Sequence, residues 1–162
     1  MKFFTCLLII SLFLTSCSHT YYIVRHAEKE TSVQGASDPP LSAAGMHRSE
    51  KLKEILKDKN IENVFATNTV RAKSTAQPTA DYFGDSIQVY SKTDSAFIMQ
   101  LRKLEKNALV VGHSNTVKNI VNGLCNEEKI KTDLRDDEFD NLFTVKYKRF
   151  FGLHIKFSKQ KY

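Results

Sequence analysis

Four apolar residues in a row, Ala108-Leu109-Val110-Val111, run straight into Gly112-His113-Ser114-Asn115. Beyond them Val117, Ile120, Val121 and Leu124 recur at helical spacing. A strand with no polar face needs cover on both sides. A strand of that kind followed at once by a helix belongs in a mainly parallel sheet with helices on both faces. This one segment therefore excludes most all-α and all-β folds.

The same alternation runs along the chain. Tyr21-Tyr22-Ile23-Val24 reads as a buried strand. Residues 25–40 are polar and end in Asp38-Pro39-Pro40, a loop. Ser42 is placed to cap a helix to about Lys59, with Met46, Leu52, Ile55 and Leu56 inward. Asn63-Val64-Phe65-Ala66 is a second strand. A helix over about 69–83 follows, which Pro78 should kink or interrupt. Ile87-Gln88-Val89-Tyr90 is a weaker strand, and 95–106 a helix with Phe97, Ile98, Leu101 and Leu104 inward. Residues 126–139 are charged and irregular. Phe143, Val145 and Tyr147, then Leu153, Ile155 and Phe157, alternate with polar residues and predict a terminal antiparallel hairpin. The expected fold is an α/β three-layer sandwich, mainly parallel, with that hairpin at its C-terminal end.

The first residues stand outside this pattern. Phe3 to Leu14 carries no charge and is mostly apolar. As a helix it would span ~18 Å, short of a hydrocarbon core of ~30 Å. That length suits the apolar region of a secretory signal. Leu14-Thr15-Ser16-Cys17 then resembles the lipobox of bacterial lipoproteins. The expectation is a signal over 1–16, lipid on Cys17 and one domain over 17–162, exported and membrane-anchored in a bacterial envelope. Of Cys6, Cys17 and Cys125, only Cys125 would then remain free, at the end of an apolar helical pattern where a buried thiol is expected.

Lys and Arg number 24 against 18 Asp and Glu, a formal charge of +6. Such a balance favours anionic partners. The cations are scattered, there is no Trp, and no basic run is broken by stacking aromatics, so nucleic acid is not expected as a partner. The hairpin lysines could touch anionic lipid, but charged edge strands also block sheet-to-sheet association, the preferred reading from sequence.

Open α/β sheets bind ligands beyond the carboxyl ends of their strands. The first strand ends in Arg25-His26, the second is followed by Thr67-Asn68-Thr69-Val70-Arg71, and Ala108–Val111 ends in Gly112-His113. Arginine forks suit phosphoryl oxygens, and the N–H groups opening a helix at Ser114 and Asn115 attract anions. A histidine neutral at its attacking nitrogen can be a nucleophile, provided the other nitrogen donates to something fixed. Gly112 would let the backbone turn tightly. This chemistry requires no metal or other cofactor, and no metal-ligand spacing is present.

Tyr22-Ile23-Val24-Arg25-His26-Ala27-Glu28, Leu41-Ser42-Ala43-Ala44-Gly45, Arg71-Ala72-Lys73-Ser74-Thr75-Ala76 and Val110-Val111-Gly112-His113-Ser114-Asn115 stand in one order. Together they resemble the histidine phosphatase, or phosphoglycerate mutase-like, superfamily. The resemblance implies phosphomonoester hydrolysis through phosphohistidine on His26. Arg25, Arg71, His113 and Ser114 would bind the phosphoryl group, with His113 also stabilising the transition state. The implied partner is a small phosphorylated substrate, and the sequence carries no reading of oligomeric state. Ala27 stands where glycine is commoner, Thr67 where serine is frequent, and Ser32 where mutase-type members carry asparagine. A long lid insertion before Gly112 is missing, which disfavours a mutase. For the general acid three candidates stay open: Asp94, which could equally cap the helix at Ser95; Glu28; and the run Asp136-Asp137-Glu138. Alternatives to the phosphomonoesterase are a non-catalytic phosphoryl-binding lipoprotein and a protein phosphohistidine phosphatase.

Overall fold

The computed structural model describes residues 18–32, 35 and 37–162; the expected signal at 1–16 and Cys17 lie outside the described residues. Ten elements follow one another: β1 (Ser18–Arg25), α1 (Ala43–Leu56), β2 (Asn63–Thr67), α2 (Val70–Phe83), β3 (Ile87–Tyr90), α3 (Ser95–Leu104), β4 (Ala108–Gly112), α4 (Ser114–Cys125), β5 (Asn141–Arg149) and β6 (Leu153–Lys161). The strands form one sheet in the order β3-β2-β4-β1-β5-β6. β3, β2, β4 and β1 are mutually parallel, while β5 and β6 join antiparallel. The α/β sandwich with a C-terminal hairpin is thus the observed architecture.

The central strand explains the two-sided cover. Ala108 and Val110 enter one core with Ile120, Val121, Leu124 and Leu101; Leu109 and Val111 enter the other with Leu52, Leu56 and Ala76. Burying one such leucine contributes ~1.5–3 kcal/mol. Both cores and all the strands above are built from residues 18–162. Among the described residues no helix is long and apolar enough to cross a membrane.

Several local expectations are corrected. β1 begins at Ser18 rather than Tyr21, because β5 pairs with it from Ser18 to Val24. Met46 faces solvent at 56% exposure; the inward row of α1 is Gly45, Ser49, Leu52 and Leu56. α2 runs unbroken through Pro78, its packing against α1 and β2 outweighing the lost N–H. Gly45 is required by contact, since a Cβ there would overlap the Glu28 carbonyl oxygen and drive α1 away from the loop after β1. Cys125 is buried, as expected, and burial pushes its thiol pKa up.

Candidate active site

The carboxyl ends of β1, β2 and β4 bring Arg25, His26, Arg71 and His113 to one rim, as their sequence positions predict. The His26 N–H donates to the Gly112 carbonyl at 2.8 Å, tying the two histidine-bearing strand ends together. The imidazole rings of His26 and His113 lie edge to face, 5.2 Å between centroids.

His26 is 4% exposed, and its two ring nitrogens have different partners. Nδ1 lies 2.8 Å from the Ala27 carbonyl oxygen, which only accepts, so Nδ1 carries the proton. Nε2 is then a lone pair, and Arg71 Nε donates to it at 3.1 Å. Burial pulls the His26 pKa down to about 4; the Ala27 bond opposes the shift, while Arg71, His113 and Arg25 reinforce it. The ring is therefore neutral at physiological pH. Burial first, then Arg71 and Arg25, also lowers the pKa of His113, against a smaller opposing pull from Asp38.

That shift predicts a stability effect. The ordinary His pKa of 6.5 applies to the unfolded chain and about 4 to the folded one, so the unfolded state binds more protons between them. His26 stabilises the fold fully above pH ~6.5, and this contribution is lost as pH falls toward ~4, by up to ~3 kcal/mol. Denaturant melts of the wild type and His26→Gln at stepped pH should diverge in slope across that window. Parallel slopes would refute the assignment.

Both arginines are held from the side. Arg25 Nη1 donates to the Arg135 carbonyl at 2.6 Å, its guanidinium lies 4.4 Å from the Phe139 ring centroid, and Asp136 stands 3.6 Å from Nη2. Its Nε is buried with no hydrogen-bond partner among the described residues. A buried donor without an acceptor costs ~1–3 kcal/mol, which an anion in the pocket would recover. Arg71 Nη1 donates to Asp38 Oδ1 at 3.0 Å, and Asp38 Oδ2 accepts the Val70 N–H at 2.8 Å. One carboxylate thus bridges Arg71 and the first turn of α2. Thr75 receives the Ala27 N–H at 2.9 Å and donates to the Arg71 carbonyl, which links the nucleophile loop to α2.

His113 Nε2 lies 3.0 Å from the Thr67 hydroxyl, giving the threonine at that position a direct contact in the site. His113 is also the N-cap residue of α4, with Ser114 as its first helical residue. The His113 N–H donates to Thr116 Oγ1 at 2.6 Å. Gly112 serves close approach rather than an unusual turn: a Cβ there would overlap Thr116 Oγ1 and crowd Tyr90 Oη.

Asp94, from sequence either an acid or a helix cap, is the N-cap of α3, its Oδ1 accepting the Phe97 N–H at 3.1 Å. It stands beyond β3, the outermost parallel strand, and lines a groove with Ile98, Arg102 and Asn119. Glu28 is held by both arms of Arg48, at 2.5–2.9 Å. Asp137 pairs with Arg135, and Glu138 accepts the Arg135 N–H. Of the carboxylates expected from sequence, Asp136 is the one beside Arg25. Asp38, Phe139 and the Arg135 carbonyl were not foreseen. The prolines after Asp38 were the available signal for the first; the other two come from a charged loop without pattern. Among the described residues no group of three or more His, Cys, Asp or Glu stands together to hold a metal ion.

Fold and site together define an α/β protein that gathers two histidines and two arginines at the rim of its parallel strands. The model of the histidine phosphatase superfamily (branch 1) matches residues 21–94, so the chain is similar to that superfamily over this stretch. A curated relative, "Probable phosphoglycerate mutase GpmB" of Salmonella choleraesuis (strain SC-B67), is 28% identical over 106 residues, 63% of this chain and 49% of its own. The chain thus spans about half the length of the curated relatives it matches. Among solved structures, the protein histidine phosphatase SixA complexed with tungstate superposes with a TM-score of 0.64 at 20% identity, covering 88% of this chain and 96% of that one. A phosphoserine phosphatase from Entamoeba histolytica in complex with 3-phosphoglyceric acid gives 0.64 at 15% identity, covering 89% and 98%. At these identities the structures support the fold.

Proposed function

We propose that the chain hydrolyses phosphomonoesters through a phosphohistidine on His26. The observation that carries this reading is the state of the ring: Nδ1 fixed on the Ala27 carbonyl and a neutral Nε2 facing Arg71. In the first step the Nε2 lone pair attacks phosphorus. The N–P bond forms as the ester P–O bond breaks, and the leaving oxygen takes a proton. We assign that proton to Asp136, supported by its distance of 3.6 Å from Arg25 Nη2. In the second step a water oxygen attacks phosphorus, the P–N electron pair returns to Nε2, and the water proton passes to the same carboxylate. Arg71 moves from Nε2 onto a phosphoryl oxygen when substrate enters. Arg25 Nε, the α4 N-terminus at Ser114, and His113 receive the others. For His113 this requires Nε2 to carry a proton.

Release of phosphate from p-nitrophenyl phosphate by residues 18–162, with chelator present, tests the reading. Activity that survives chelator supports it. Tight tungstate binding without turnover would favour a phosphoryl-binding protein instead. A phosphorylated protein side chain is the second substrate reading. Similarity to SixA over 96% of that chain favours it, because so compact a frame leaves the rim open to a large partner.

The proposal extends to location. The apolar run over 3–14 and Leu14-Thr15-Ser16-Cys17 support export and lipid on Cys17, with 17–162 as the mature chain. Expressed in a bacterium, the full-length precursor should lose residues 1–16 and carry the added mass of lipid on Cys17, and Cys17→Ala should release it from the membrane fraction. Retention of an unprocessed N-terminus would exclude this.

A further inference from the structure

The end of the sheet opposite the active site carries three features that folding does not account for. The first is the turn between β5 and β6. Phe151 holds the left-handed backbone at φ 49°, where asparagine or glycine would be unstrained, and its side chain is 87% exposed. The second is apolar company: Phe150 and Leu153 are 44% and 51% exposed, and the two phenylalanine rings meet edge to face. The third is charge. Lys146 lies directly opposite Lys156, with Lys148 two residues further along β5. Like charges across a strand pair destabilise it, and among the described residues none of these lysines has an ion pair. Arg149, by contrast, pairs with Glu105 at 2.9 Å.

The position of this tip is fixed by register. Ser18 pairs with Lys148, so β1 begins beside the tip. His26 follows the other end of β1, about eight residues and ~25 Å away.

We infer that the β5–β6 tip is a docking surface for an anionic lipid bilayer. Phe150, Phe151 and Leu153 would enter the headgroup boundary while Lys146, Lys148 and Lys156 meet lipid phosphates. An apolar knob flanked by cations that have no ion pair among the described residues, one of them Lys148 with its Nζ 5.7 Å from the Phe150 ring centroid, is the chemistry that such an interface selects. Docked this way, the catalytic rim points away from the membrane. The surface acts without an acyl chain on Cys17, so its test is separate from that of lipidation.

Residues 18–162, which contain both cores, are mixed with vesicles of phosphatidylcholine alone or with phosphatidylglycerol. The expected result is binding at least ~10-fold stronger to the anionic vesicles and weakened by salt. Each lysine should contribute about fivefold, so Lys146→Gln/Lys148→Gln/Lys156→Gln should bind about 100-fold more weakly. Phe151→Asn suits the left-handed turn and should fold at least as well, yet lose about tenfold in binding. Equal binding to both vesicle types, or variants that bind like the wild type, would overturn the inference. So would a dimer in solution that Phe151→Asn disperses, which would make a second copy the occupant.

Discussion

Replacing His26 with alanine is expected to lower phosphate release by on the order of 10⁴ or more, because it removes the only atom that takes up the phosphoryl group in the proposed reaction. The loss should fall on kcat with little change in substrate binding, since Arg25, Arg71 and His113 are kept. Burial of His26 is nearly complete, so the variant's fold must be checked by its melting transition. Brief exposure of the wild type to substrate, followed by quenching in base, should trap a phosphoryl adduct on His26 that acid removes. The alanine variant should show none. Activity within tenfold of wild type in a folded His26→Ala protein would mean that water attacks phosphorus directly, with the pocket acting only as an electrostatic clamp.

Arg71→Ala should cost about 10²–10³ in kcat/KM. Its guanidinium is the group in contact with Nε2 of His26, so it is the first donor a phosphoryl oxygen meets. Arg71→Lys should recover little, because an ammonium cannot hold Asp38 and a phosphoryl oxygen in one plane. Asp38→Asn keeps the guanidinium but loosens its seat, and should cost about tenfold through misplacement alone. If Asp38→Asn matched Arg71→Ala, the carboxylate itself would have to act on substrate. If Arg71→Lys were as active as wild type, the arginine would be serving only as bulk positive charge.

How far the site could be read from sequence depended on how each residue is held. Arg25-His26 and Gly112-His113 were legible because apolar runs end abruptly at them, and parallel strands deliver such ends to one rim. Ser42 was legible as a cap because the cap is local. Asp94 offered two readings, and the local one is what the structure displays. Asp38 was legible only as part of a loop, marked by the prolines after it; its partners lie 32 and 33 positions along the chain, and no local pattern announces a bridge of that span. Phe139 escaped for the same reason, placed under Arg25 by a loop without periodicity. Met46 fits an inward helical row by type, yet the row actually buried is set by the close approach of Gly45 to Glu28. Pro78 shows the limit of propensity, its cost absorbed by packing along α2.

The strand that begins at Ser18 is the strand that leads into His26, and it is hydrogen-bonded along both edges, to β4 and to β5. Those bonds lie across the strand axis. A pull on the chain at Ser18 therefore loads them side by side, in shear, instead of peeling them one at a time. The catalytic rim is mechanically clamped against tension from the very end where a tether would attach, so stretching or jostling at a membrane would move the body as a whole before it disturbed the pocket.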